Sequence, residues 1–217
     1  GFLGRMIDIS SLLAIDAEKE GQYTLRWHFQ DLVSSEFRIY VIRDWEAIIE
    51  TAKGRLVLEF YPGTAPRHVL NFLDLVRSGF YKDALFYRVV PGFVIQGGHP
   101  VSEKKLTPVP AEFSARKHVR GTLSMARGED PDSATSEFFF CLTAAPSLDG
   151  KYSVFGRVKE GEEVLQAIGS GKSDHNPCGE CGQDLPGKAT QHCGVHHKDR
   201  PIEDILIRSI QLRSKDN

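Results

Sequence analysis

Residues 86 to 98 read Phe86-Tyr87-Arg88-Val89-Val90-Pro91-Gly92-Phe93-Val94-Ile95-Gln96-Gly97-Gly98. Most of this run is apolar, Pro91-Gly92 divides it, and the glycine pair closes it. Its β-branched and aromatic content on either side of a Pro-Gly turn specifies two extended segments. Arg88 and Gln96 stand alone as polar residues among apolar ones. An arginine on a half-buried strand must be paired or must serve a ligand.

The flanking sequence has the same short-strand texture. Upstream, Arg55 to Tyr61 is a strand ended by Pro62-Gly63. The clearest helix follows: Thr64 can cap it, Pro66 lies in its first turn, Val69, Leu70, Phe72, Leu73 and Val76 recur at helical spacing, and Gly79 can end it. Apolar runs return at Leu85–Val90, Phe93–Ile95, Thr122–Met125, Phe138–Leu142 and Val154–Val158. Gly161 to Ile168 reads as a short helix and Ile202 to Leu212 as a final strand. Residues 1–45 form an N-terminal extension, in which Tyr23, Leu25, Trp27 and Phe29, then Phe37, Ile39 and Val41, alternate with polar residues as two strands. Eight or more strands with two helices imply a mainly β barrel or sandwich spanning residues 46–217.

Composition excludes several classes. The 217 residues are 41% hydrophobic and 26% charged, with a net charge of −2, so a folded core is expected and disorder as the main state is not. No basic stripe suits nucleic acid. No apolar run approaches the roughly 20 residues that cross a bilayer, and Gly1 to Ile15 is broken by Arg5 and Asp8. A signal peptide cleaved before Gly1 would leave the same sequence.

Two further units follow the first: Gly121-Thr122-Leu123-Ser124-Met125-Ala126-Arg127, leading to Ser136-Glu137-Phe138-Phe139-Phe140, and Leu148-Asp149-Gly150-Lys151-Tyr152-Ser153-Val154-Phe155-Gly156-Arg157-Val158. In this order and spacing the three units resemble the cyclophilin family of peptidyl-prolyl cis–trans isomerases, from about Ile48 to Ile168 and again from about Pro201. The resemblance implies a closed eight-stranded antiparallel barrel capped by two helices, with a proline-peptide groove on its outer wall. It implies catalysis by Arg88, Phe93 and Gln96 without a cofactor. Val94, Phe139 and Leu148 join Phe93 in the implied apolar wall, and Ala126 and Arg127 match the stretch that pairs with the peptide main chain. Glu137 and Tyr152 complete the implied substrate-binding set; Glu137 stands where the family commonly has Gln, which places a carboxylate near Arg88, and Tyr152 stands for a frequent His. Ser147 replaces a common aromatic, which should weaken binding of the inhibitor cyclosporin. The implied partners are proline-containing peptides and flexible protein chains. The rival reading is a proline-peptide binding or assembly module with little turnover.

Cys178, Cys181 and Cys193 fall in one 16-residue stretch with His192, near His196 and His197, inside a segment (170–200) longer than the family's usual connection. Soft thiolates and imidazole at short spacing suit tetrahedral zinc. The preferred ligands are Cys178, Cys181, Cys193 and His196, with His197 or His175 as substitutes for the last. A loop without metal, with Cys178 paired to Cys181, is the competing reading. Cys141, alone in an apolar run, reads as an inert core residue. A thiolate cluster is easier to keep in a reducing cytoplasm.

Overall fold

The computed structural model describes residues 19–26, 28–29, 31–99, 105–171, 173–174 and 199–215. The metal-ligand candidates Cys178, Cys181, Cys193 and His196 lie outside them. By contact the chain divides into two units, Gly1–Arg43 and Asp44–Asn217.

In the first unit the two alternating runs pair as an antiparallel ladder. β1 (Gly21–Leu25) lies against β4 (Phe37–Val41), with Gly21 opposite Val41 and Leu25 opposite Phe37. A short pair, β2 (His28–Phe29) and β3 (Leu32–Val33), continues toward the turn. Arg26 and Glu36 form an ion pair at the join.

The second unit is a curled antiparallel sheet with two helices. Its strands are β5 (Trp45–Thr51), β6 (Gly54–Phe60), β7 (Ala84–Leu85), β8 (Arg88–Val90), β9 (Val94–Gly97), β10 (Thr122–Met125), β11 (Phe138–Cys141), β12 (Val154–Glu160) and β15 (Leu206–Ser214). They are ordered β7-β15-β5-β6-β12-β10-β11-β9-β8. The barrel expected from sequence is present, but its sheet counts nine strands and has no β7–β8 ladder. The run from Leu85 to Val90 is broken at Phe86-Tyr87, where the Phe86 N–H turns to the Ile205 carbonyl at 2.9 Å. One half then pairs with β15 and the other with β9. The two edge strands are thus joined by two residues, so the sheet must curl round on itself.

Side-chain alternation divides the aromatic run of β11 between two clusters. Phe138 and Phe140 are fully buried in the main core, where Phe138 meets Phe72 and Tyr81 edge-on at 5.5 and 5.6 Å. Phe139 and Cys141 face the other way, into a smaller cluster with Val94, Ala126 and Ala145.

Helix α1 (Pro66–Arg77) covers the main core with Val69, Phe72, Leu73 and Val76. Thr64 is not its cap. The Glu112 carboxylate accepts the backbone N–H groups of Arg67 and His68 at 3.2 and 3.1 Å, and the Thr64 hydroxyl instead accepts from Arg116. A charged acceptor from a distant loop thus supplies what a local side chain usually does. Helix α2 (Glu162–Gly169) buries Val164, Leu165 and Ile168. It begins after Gly161, whose φ of +95° and close approach to Arg55, where a Cβ would lie 2.2 Å from the carbonyl oxygen, require glycine. A final ladder pairs β13 (Ser173–Asp174) with β14 (Arg200–Pro201). Among the described residues no helix is long and apolar enough to cross a membrane.

Candidate functional site

Strand register builds one row of side chains across the outer face of the sheet. Arg88 lies opposite Gln96, Gln96 opposite Phe139, and Phe139 opposite Ser124. The Pro91-Gly92 turn, closed by Phe93 N–H to Val90 O at 2.9 Å with Gly92 at φ +71°, presents Phe93 beside this row. Arg88, Phe93, Val94, Gln96, Ala126, Arg127, Phe139, Leu148 and Tyr152 line a single groove. Val90, Phe93, Leu148 and Tyr152, all half-buried, pack on the smaller apolar cluster and form its rim.

The polar end of the groove is a guanidinium held loosely on two sides. Arg88 Nη1 donates to Gln96 Oε1 at 3.5 Å, and Nη2 lies 3.7 Å from Asp199 Oδ2. Both separations are at or beyond the outer limit for a hydrogen bond, so the N–H groups keep donor capacity. The Gln96 amide is fixed from behind: Nε2 donates to Glu137 Oε2 at 2.9 Å and also contacts the Tyr87 hydroxyl, which itself donates to Glu137. Burial, followed by the Glu137 charge, pushes the Tyr87 phenol far above its ordinary range, so it stays a donor.

Glu137 does not line the groove, in contrast to its expected place in the substrate-binding set. It lies just before β11, two residues from Phe139, and its carboxylate is taken up by Tyr87, Gln96 and His99, whose Nδ1 is 2.9 Å from Oε1. Nor is it the ion-pair partner of Arg88, a place held by Asp199. Arg127 lines the groove, but its guanidinium donates to the carbonyls of Gly128, Glu129 and Lys151 at 2.8 to 3.2 Å and lies 4.8 Å above the Tyr152 ring. It staples the surrounding loops.

Against the apolar end lies a polar triad that sequence reading does not single out, with His118 and Ser124 buried and Asp149 half-buried. The His118 ring stacks on Phe139 at 6.0 Å, its Nδ1 donates to Asp149 Oδ1 at 3.1 Å, and its Nε2 is 3.2 Å from Ser124 Oγ. Burial holds the imidazole below its usual range despite the carboxylate beside it. Asp149 is pulled down to about 2, first by the His118 backbone N–H. Tyr152 also meets Phe139, in an edge contact at 5.6 Å. The phenyl ring is therefore held by two ring contacts. Cys141 is fully buried, and its thiol is pushed up to about 12, mainly by burial. Among the described residues no group of three His, Cys, Asp or Glu side chains is placed to hold a metal.

Sequence reasoning misses Tyr87, His99, His118, Asp149 and Asp199 as parts of this site. Asp149 lies inside one of the three motif units, but its partner His118 does not, and only the fold brings Asp199 to Arg88.

Comparison with known proteins covers most of the chain. Residues 47–211 match the family model described as cyclophilin type peptidyl-prolyl cis-trans isomerase/CLD. Peptidyl-prolyl cis-trans isomerase B of Escherichia coli is 37% identical over 175 residues, spanning 75% of this chain and 96% of that protein. A peptidyl-prolyl cis-trans isomerase of Synechococcus elongatus is 38% identical, spanning 58% of this chain and 90% of its own length. The crystal structure of a cyclophilin-type isomerase from Cryptosporidium parvum, determined in the presence of the dipeptide Ala-Pro, superposes with a TM-score of 0.64 at 29% identity, covering 78% of this chain and 99% of that one.

Proposed function

Because the chain belongs to the cyclophilin-type peptidyl-prolyl cis–trans isomerases, we propose that it turns X-Pro bonds in peptides and flexible protein chains by a directed arginine donor beside a proline-sized apolar hollow. Rotation of an X-Pro amide faces a barrier of roughly 18–20 kcal/mol, because the twisted bond loses resonance. The prolyl nitrogen then recovers a lone pair that neither planar isomer offers. A donor aimed at that nitrogen binds the twisted state selectively and so raises the rate. No nucleophile is needed, and no covalent bond is made or broken.

Arg88 supplies that donor in this reading, and Gln96 orders its guanidinium while also meeting the substrate backbone. Phe93, Val94, Phe139, Leu148 and Tyr152 grip the pyrrolidine ring, and the preceding carbonyl swings toward solvent. Ala126 and Arg127 flank the peptide main chain. The observation that carries the proposal is that Arg88 and this apolar set share one groove. The crystallisation of the Cryptosporidium parvum isomerase with an Ala-Pro dipeptide adds support for proline ligands.

Isomerisation of an Ala-Pro test peptide checks it. The wild type should turn over, and Arg88→Ala should lose at least roughly 100-fold, the scale of deleting one transition-state donor. A wild type that binds the peptide without turnover would favour the binding-module reading instead.

Two finer points belong to the same proposal. Cys178, Cys181, Cys193 and His196 form a structural zinc site, on ligand chemistry and spacing alone. Elemental analysis should find one zinc per chain, lost in Cys178→Ser. Ser147, exposed on the turn before Leu148, leaves cyclosporin a weaker ligand here than for members with an aromatic at that position.

A further inference from the structure

We propose that Asp199 is a positioning residue for Arg88, which makes the base of the Cys/His-rich segment part of the isomerase site. The proposal rests on the reading of Arg88 as the donor. Asp199 Oδ2 lies 3.7 Å from Arg88 Nη2, and the two side chains are 15% and 30% exposed. The contact is set by backbone pairing. Val89 N–H donates to Asp199 O at 2.8 Å, Phe86 N–H to Ile205 O at 2.9 Å, and Asp83 N–H to Ile207 O at 2.9 Å, so the chain from 199 to 207 runs against the chain from 83 to 89. The β13–β14 ladder, which begins one residue later, also approaches β8.

Asp199 adopts φ +80°, a left-handed backbone uncommon for residues with a Cβ, though aspartate is among those that tolerate it. An unfavourable backbone conformation that delivers a carboxylate to a groove is a pointer to use. Gln96 Oε1 meets Nη1 while Asp199 meets Nη2. The planar fork is thus held between two acceptors, neither close enough to take up its donors fully. Such an arrangement keeps a long, rotamer-rich side chain aimed at the groove. Asp199 immediately precedes β14, and β13 and β14, paired with each other, both approach β8, the strand that carries Arg88.

The test uses the full-length protein and an Ala-Pro peptide, with kcat and KM measured separately. Asp199→Asn removes the charge and keeps the shape. Asp199→Gly keeps the backbone conformation and removes the side chain. Each should lower kcat by about fivefold, the upper end of what a partly exposed ion pair is worth, with KM changed less than about twofold. Added to Arg88→Ala, Asp199→Asn should not change the residual rate. The assignment is overturned if Asp199→Asn keeps or exceeds wild-type kcat, or if its effect is the same without the arginine. If Arg88→Ala itself turns over normally, the reading of Arg88 fails; if Arg88→Ala is inactive and Asp199→Asn is normal, only the role of Asp199 falls. Circular dichroism melts identify a variant that has lost the fold, in which case the other Asp199 variant carries the comparison.

Discussion

Replacing Arg88 with lysine separates a directed donor from a mere positive charge. Lysine keeps the charge but replaces a planar fork with a single ammonium. Arg88 reaches Gln96 with Nη1 and Asp199 with Nη2, 3.5 and 3.7 Å away, and lines the groove together with Phe93 and Phe139. One ammonium cannot hold those positions together, and Asp199 is the charge nearest to it. The loss is then one charge-assisted hydrogen bond in the twisted state, about 1.5–3 kcal/mol. At 1.36 kcal/mol per decade this is roughly a 10- to 150-fold fall in kcat/KM. The fold should tolerate the change, because the side chain is 30% exposed and its ion pair is worth at most about 1 kcal/mol. For a domain of this size that is a shift of about 2–4 °C in Tm. The assay is the rate of cis-to-trans conversion of an Ala-Pro peptide near 10 °C, where the uncatalysed reaction takes minutes. An Arg88→Lys protein with more than a third of wild-type kcat/KM would refute the reasoning, since a point charge would then suffice.

Phe139→Ala should cost about 3 kcal/mol of stability, the low end for a buried aromatic because one side opens on the groove, and should cut kcat/KM by roughly tenfold or more; chemical denaturation and the peptide assay check both. His118 is held below its ordinary range by burial, so on acidification the unfolded chain takes up the proton first. The stability from the neutral ring is complete above the ordinary value of about 6.5 and is lost as pH falls from there toward the folded-state value. Tm should therefore decline between pH 7.5 and 5.5, with a smaller slope in His118→Gln; Asp149, at about 2, stays charged throughout this range and adds nothing to the slope. Cys141, with its thiol near 12, should resist alkylation at pH 8 in the native protein and react after denaturation, as read by peptide mass mapping.

Much of the fold is legible because short-range rules set it. Thr122–Met125 and the helix from Pro66 lie where apolar periodicity and Pro or Gly punctuation place them, since these signals act within a few residues. β5 carries no such clear mark of a strand. Its Glu46 is only 2% exposed, yet a buried glutamate reads as a solvent residue until Lys159 and Arg213 are seen to neutralise it from other strands. Thr64 looks like a cap for the same reason in reverse, since the true acceptor, Glu112, belongs to a loop remote in sequence.

Sequence by itself determined the strand-forming runs, the two helices and a motif joining an arginine to an apolar hollow, because each is written in neighbouring side chains. Tertiary structure decided what surrounds that arginine. Strand register put Gln96 and Phe139 in its row, turned Glu137 toward Tyr87 and His99, set His118 under the phenyl ring, and brought Asp199 to the guanidinium. Such contacts depend on which strands pair and on the side chains that alternation sends to the same face, and residues far apart along a chain carry no local mark of meeting.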